Sequence, residues 1–350
     1  MAVLVYQLLF QPVIDDVLRI GVAQMAHIIA LKELAGPRLV RLTVHEPYIP
    51  LLHLLPRLTR LSVYEHRRAP FQQQPGQHIN VLVLATLPVL QFLSVYAVPS
   101  HPTHTRHLEE LKQIQSLTLR NTLPELALLP AGLSSLHLRL DAPTPARLQQ
   151  QDCVPMLQRF SGSLSSLVLK GYFQQLNHDP ARLSALTGLQ KLTDLVLSFN
   201  SFPSQLCTFV FPLLKQLMLE VLWPAEGRPC WDLRGCPQLA KVDLTLRLHS
   251  ARDIDLAQVV GLQTHFLQIH LDLREVAAES SRVLMSCTSW KVNRVRITFQ
   301  TTAVKEWRSC PCVKDLLAGF LGVVPFSNVH VDGLLASQLL AAGYQPAEQA

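Results

Sequence analysis

A six-residue pattern of apolar, any two, apolar, any one, apolar recurs along this chain and constrains its fold more than any other feature. It occurs as LVRLTV at 39, LTRLSV at 58, LQFLSV at 90, IQSLTL at 114, LSSLHL at 133 and LSSLVL at 164. It continues as LTDLVL at 192, LKQLML at 214, LAKVDL at 239, FLQIHL at 266, VNRVRI at 292 and FSNVHV at 326. Successive starts lie 19, 32, 24, 19, 31, 28, 22, 25, 27, 26 and 34 residues apart. Side chains alternate along a strand, so the fourth and sixth places enter one core while the third, fifth and seventh face away from it. A single short strand cannot bury its apolar edge, whereas a stack of such rungs buries a continuous one. In LTDLVLSFN, Asn200 is expected to turn the chain after the strand.

Two further matches bear on the extent of the array. DDVLRI from 15 places Leu18 and Ile20 in the second and third apolar places, so the rungs are expected to begin near the N-terminus. INVLVL at 79 starts 11 residues before the match at 90, too close for both to lie on one face, and one of them is expected on the reverse side. Between matches the apolar spacing changes to a helical one, as in HTRHLEELKQIQ and DPARLSALTGLQKL, the latter with Asp179 and Pro180 as N-cap and first helical residue. Other connectors, rich in Pro and Gly, are expected as loops or 3₁₀ turns. The organisation read from these signals is an N-terminal segment or partial cap over 1–14, an array over 15–335, and a helix end and tail over 336–350. GLLASQLLAAGYQPAEQA reads as an amphipathic helix closing the last strand near Val331.

These repeats resemble those of leucine-rich repeat proteins over about residues 15–335. GCPQLAKVDL resembles the cysteine-containing subclass of F-box-type receptors, and LTDLVLSFN the general subclass with an asparagine ladder. The resemblance implies an α/β fold: a curved horseshoe with a parallel β-sheet on the concave face and short helices or loops on the convex face. It further implies a protein-interaction module, with a substrate-recognition subunit of an F-box-type ubiquitin ligase or a structural adaptor of a cytoskeletal or ciliary assembly as alternatives. F-box receptors carry their F-box ahead of the repeats. Here only a short segment precedes them, without a Leu-Pro opening.

Composition agrees with a folded array. Of 350 residues 49% are hydrophobic and 16% charged, enough to build a core and unlike a disordered chain. Seven cysteines, an odd number in a chain too long to need disulfide staples, fit reduced thiols in a cytoplasmic setting. The apolar N-terminus lacks a basic start and contains Gln7, Gln11 and Pro12, unlike a secretory signal. Residues 79–100 carry no charge, but Pro88, Gln91 and the alternating β-branched residues fit a rung better than a membrane span.

The outward places carry segregated charge. The first six matches contribute Arg41, His45, Arg60, Tyr64, Tyr96, Arg120, His137, Arg139 and Lys170, with no acid. The next four contribute Asp194, Glu220, Asp243 and Asp272 against Lys241, after which Arg294 and Arg296 precede Asp332. Arginines beside exposed aromatics are the composition of interface hot spots, and Phe92 joins the tyrosines either on the face or tucked under a loop. An acidic centre opposes a nucleic acid running the full length, so a protein partner is expected on a monomeric array.

No chemistry competes with this reading. His101, His104 and His107 with Glu109 and Glu110 fall at a repeat connection and lack a second ligand pair at finger-like spacing. CPC at 310–312, with Cys287, reads as filler and a turn. GxxxxGK[ST], GxGxxG and GxSxG are all absent. Neither enzyme activity, nor a metal, nor a cofactor is expected.

Overall fold

The computed structural model describes residues 21–22, 39–64, 78–97, 103–124, 129–141, 157–171, 186–199, 206–223, 230–248, 254–255, 259–272, 283–284, 290–300, 315, 318–320, 324–325, 328–331 and 334–335. The chain divides into two compact units, 1–138 and 139–350.

In the first unit, strands Gly21–Val22, Arg41–His45, Arg60–Tyr64, Phe92–Tyr96 and Ser116–Arg120 lie side by side and parallel in chain order. The register aligns Arg41 with Arg60, Arg60 with Phe92 and Phe92 with Ser116. Each template place therefore becomes a column. Leu42, Leu61, Leu93 and Leu117 form one column, and Val44, Val63, Val95 and Leu119 the next. The leading Leu39, Leu58, Leu90 and Ile114 are buried with them. Burying one such side chain stabilises the fold by about 2 kcal/mol, and neighbouring rungs share that gain.

A repeated backbone fork opens the rungs. The amides of Thr59 and Arg60 both donate to the Val40 carbonyl, those of Gln91 and Phe92 to Thr59, those of Gln115 and Ser116 to Gln91, and those of Ser134 and Ser135 to Gln115. Between the strands the chain runs through 3₁₀ segments Glu46–Leu54, Leu82–Thr86 and Leu108–Glu110.

Two sequence expectations change in this unit and a third is refined. Val22 pairs with Val44, so the first rung sits two residues later than the match from 15 implies. The segment expected to begin a helix at 104 is instead strand Thr103–Arg106, which lies between His78–Asn80 and Thr122–Pro124 in a small parallel sheet of its own. His107 then adopts a left-handed backbone before one 3₁₀ turn. An α-helix advances ~1.5 Å per residue and extended chain ~3.3 Å, so a short connector crosses more economically in extended form. INVLVL divides accordingly, its start on this reverse-side sheet and its remainder in a 3₁₀ segment.

Asn121 holds the end of its rung. It is buried with φ 56°, a region Asn tolerates. Its Nδ2 donates to the Ala97 carbonyl at 3.2 Å, while the Ala97 amide donates to the Arg120 carbonyl at 2.8 Å.

The second unit repeats the plan. Strands Ser166–Gly171, Asp194–Phe199, Gln216–Trp223, Lys241–Leu248, Gln263–Asp272, Lys291–Gln300 and Val329–Val331 run parallel in chain order. Its columns are Leu167, Leu195, Leu217, Val242, Leu267, Val295 and Val329, then Leu169, Leu197, Leu219, Leu244, Ile269, Ile297 and Val331, each at most 1% exposed. The rung read as FLQIHL at 266 is displaced by two residues. Lys241 aligns with Phe266, and Leu267 and Ile269 align with Val295 and Ile297, so Thr264 takes the leading place. Phe266 is the more apolar of the two candidate leaders, and only strand pairing decides between them.

Leu206–Val210, Cys230–Gly235 and Val259–Val260 form a second parallel ladder on the reverse side. Trp231 is buried there, and the Trp290 indole donates to the Val259 carbonyl at 2.7 Å. Cys236 is buried just ahead of its strand, its thiol donating to the Phe209 carbonyl at 3.5 Å, and burial raises its pKa. Gly171, at φ 100°, sits where a Cβ would lie 1.8 Å from the Leu140 carbonyl oxygen, so only glycine fits. At the end, Leu334–Leu335 pairs antiparallel with His330 and Val331 in place of the expected start of a helix.

In both units the expected short helices give way, among the described residues, to 3₁₀ turns, small parallel ladders and fragments of helix. Asp179, Pro180, Asn200, Cys287, residues 310–312, His101, Asp332, and the segments 1–14 and 336–350 lie outside the described residues.

Candidate binding face

On the outward side of the first unit the template places become three rows. The third places are Arg41, Arg60, Phe92 and Ser116; the fifth are Thr43, Ser62, Ser94 and Thr118; the seventh include Tyr64, Tyr96 and Arg120. Because the central row holds only small hydroxyl side chains between larger neighbours, a groove of about 460 Å³ opens over it. Third and seventh places are ~13 Å apart along a strand, which sets the spacing of the walls.

The walls are ordered by their own contacts. Tyr64 and Tyr96 stack with centroids 4.6 Å apart and planes at 10°, and Tyr64 remains 40% exposed. On the other wall the Arg60 guanidinium lies over the Phe92 ring, 4.3 Å from its centroid. This settles the placing of Phe92: it is on the face, under arginine. Such ring and cation contacts contribute about 0.5–1 kcal/mol each at exposed sites. Among the described residues no Asp or Glu lines the groove and no carboxylate pairs with Arg41 or Arg60.

The second unit arranges its outward charges differently. Arg139 Nε donates to Asp141 Oδ1 at 2.6 Å. Lys170 Nζ lies 3.9 Å from Glu220 Oε2, reaching past the intervening strand at Ser198. Asp194 accepts from the Thr193 hydroxyl at 2.6 Å. Asp243 is half-buried, and desolvation raises its pKa against the opposing pull of Lys241, His270 and Lys170. His270 Nδ1 is 2.8 Å from Thr298 Oγ1. Arg294 reaches His330 Nε2 at 3.2 Å, and burial, then Arg294 and Arg296, lowers the His330 pKa.

The structure thus joins Arg41, Arg60, Tyr64, Tyr96 and Arg120 on one face. His137 is half-buried on its strand, and His45 occupies the seventh place of its rung. Asp272 does not belong to the acidic set as expected. The two-residue displacement carries it beyond the seventh place to align with Arg247, and it is 7% exposed. His104 lies in a strand and His107 after it, so the two do not share a helical face. Among the described residues no group of three His, Cys, Asp or Glu is placed to hold a metal, and no helix is long and apolar enough to cross a membrane.

Sequence reading passed over the hydroxyl row, although LTV, LSV, LSV and LTL in four successive matches spell it out. It also passed over Asp232, whose carboxylate accepts three hydrogen bonds from the Arg234 guanidinium, at 2.9, 3.1 and 2.6 Å, and one from the Arg234 amide.

In both units, parallel strands in register bury the same template places rung after rung. The fold of each unit is that of a leucine-rich repeat array. No protein-family model and no curated protein matches it. Solved structures similar to these repeats include an internalin from Listeria monocytogenes, at 19% identity and a TM-score of 0.38, covering 69% of this chain and 64% of the internalin. Another is the TLR13–ssRNA13 complex, at 15% identity and a TM-score of 0.26, covering 80% of this chain and 52% of the receptor. The fold assignment rests on the rungs themselves.

Proposed function

We propose that this leucine-rich repeat chain is a non-enzymatic module that binds a protein partner on the outward face of its strands. The carrying observation is the groove of the first unit, where Arg41, Arg60, Tyr64, Tyr96 and Phe92 surround a hydroxyl floor with no acid among the described lining residues. Arg120 and His137 extend the cationic set within this unit, while Arg139, Asp194, Glu220 and Asp243 stand on the strand face of the second unit as candidate contacts of their own. The groove suits a partner because aromatic and arginine side chains supply most interface energy. In leucine-rich repeats the strand face is the usual binding surface.

The test is capture from cell lysate by the tagged chain, at low and high salt, beside a variant with Arg41, Arg60, Arg120 and Arg139 changed to Glu. A small, salt-sensitive set of proteins lost in the variant supports the reading. Identical profiles from both chains exclude it.

A second reading is favoured by Cys236, buried ahead of its strand with its thiol on a neighbouring carbonyl. It supports a receptor of the F-box type, in a reducing cytoplasmic compartment. Failure to co-purify with the small adaptor that binds F-boxes removes this reading. Adaptor roles in cytoskeletal or ciliary assemblies belong to the first reading and are separated by the identity of the captured set.

A further inference from the structure

We infer that the groove of the first unit receives an extended acidic polypeptide segment, running across the strands along the row Thr43, Ser62, Ser94 and Thr118. This rests on the protein-binding reading above and specifies the chemistry of the partner. Three observations carry it.

The first is saturation of the backbone. Within the described rungs Arg60–Tyr64 and Phe92–Tyr96 each pair with a strand on both sides, so an incoming chain cannot join them by adding a strand. Recognition falls to side chains. A segment lying across the strands meets a new rung every ~4.8 Å and finds at each one a hydroxyl able to donate to a carboxylate or a backbone carbonyl.

The second is charge. The described groove lining contributes Arg41 and Arg60 on one wall and no carboxylate, and Arg120 stands directly beside Tyr96 on the other. Carboxylates of the incoming segment meet guanidinium groups that, among the described residues, hold no acid at Arg41 or Arg60, and such complementarity sets both specificity and association rate.

The third separates peptide from nucleic acid. Single strands of RNA or DNA bind by stacking bases on free aromatic faces above a continuous basic track. Here Tyr64 and Tyr96 stack on each other, Arg60 already covers Phe92, and the floor is neutral. Intercalation of a base would have to break a formed contact. An acidic peptide leaves both in place and uses the ring edges and the tyrosine hydroxyls.

The experiment is fluorescence anisotropy on the full chain with three labelled probes: a nonapeptide of eight glutamates around one leucine, its lysine counterpart, and an oligouridylate of similar charge. The acidic peptide is expected to bind, weaken with salt, and lose about tenfold in affinity for each of Arg41→Glu and Arg60→Glu. Ser94→Trp, which fills the floor without touching charge, is expected to abolish binding while the thermal unfolding midpoint holds. Absence of acidic-peptide binding, stronger binding of the lysine peptide or of oligouridylate, or indifference to Ser94→Trp overturns the inference. If the acidic peptide fails while lysate capture still responds to arginine reversal, the inference falls and the broader reading stands. If neither responds, both fall.

Discussion

The two units share one scaffold and use its outward side in opposite ways. In the first, Arg41 and Arg60 face a groove with no acid among its described residues, and their neighbours are rings and hydroxyls. In the second, cations and acids meet within the unit, as Lys170 does Glu220 and Arg139 does Asp141. Equivalent apolar columns therefore do not dictate surface electrostatics. A face whose charges satisfy one another offers little to a charged partner, whereas one with a single sign is complementary to something outside the molecule.

The comparison breaks first if the scaffolds are not alike. Leu93→Ala and Leu195→Ala, one fully buried column residue from each unit, are each expected to cost about 3 kcal/mol of stability, read from urea unfolding. A cost near zero for either would mean that its column is not close-packed. Next in size is binding. Arg60→Glu should weaken the acidic probe by about 1.4 kcal/mol, equivalent to tenfold, while Lys241→Glu in the second unit leaves its affinity unchanged. Equal losses would erase the distinction between the faces.

Two aspartates of the second unit sharpen the contrast through pH. Burial holds the Asp243 pKa above its unfolded value, so its favourable contribution is complete below that unfolded value and is lost as pH rises through the folded one. Asp243→Asn is expected to raise neutral-pH stability relative to the native chain. Asp232 behaves oppositely, because hydrogen bonds from Arg234 lower its pKa. Its contribution is present above the unfolded value and disappears as pH falls through the folded one. Asp232→Asn should lose stability at neutral pH and show a flatter acid limb in thermal melts. Opposite signs in the two profiles are the outcome to look for. The smallest effect is expected from Glu220→Gln, about 0.5 kcal/mol or less, because its partner lies at 3.9 Å and both side chains keep some solvent contact. A loss several times larger would mark that pair as structural.

Most of the fold was legible because its signal is periodic. Leu61, Leu93 and Leu117 announce their column by spacing alone, and hydrophobic burial then has one solution. Legibility fails where the more apolar of two registers is not the one the strands adopt. Phe266 and Thr264 compete for one place, and pairing with Lys241–Leu248, a contact distant in sequence, decides between them. Connectors fail for a related reason. Leu108, Leu111 and Ile114 are spaced as on a helix, yet successive 3₁₀ and turn residues bring them to the same core.

At the binding face, the identity of the arginines and tyrosines was readable and their relations were not. Nothing local tells that Arg60 lies on Phe92 rather than in solvent, since the two are joined only by strand register. The hydroxyl row was visible but unremarked, because small residues attract notice only once their larger neighbours define a groove. Asp272 shows the converse error, a charge assigned to the surface by a frame two residues out.

Alternation of inward and outward places along each strand has an evolutionary corollary. Folding is written in the fourth and sixth letters of the template and recognition in the third, fifth and seventh, so the two texts interleave without sharing a character. Replacing Ser62 or Ser94 edits the message while leaving the grammar of Leu61, Val63, Leu93 and Val95 untouched. A lineage built this way can exchange ligands rung by rung and keep its thermodynamic reserve, which makes the face of this chain a natural register for directed diversification.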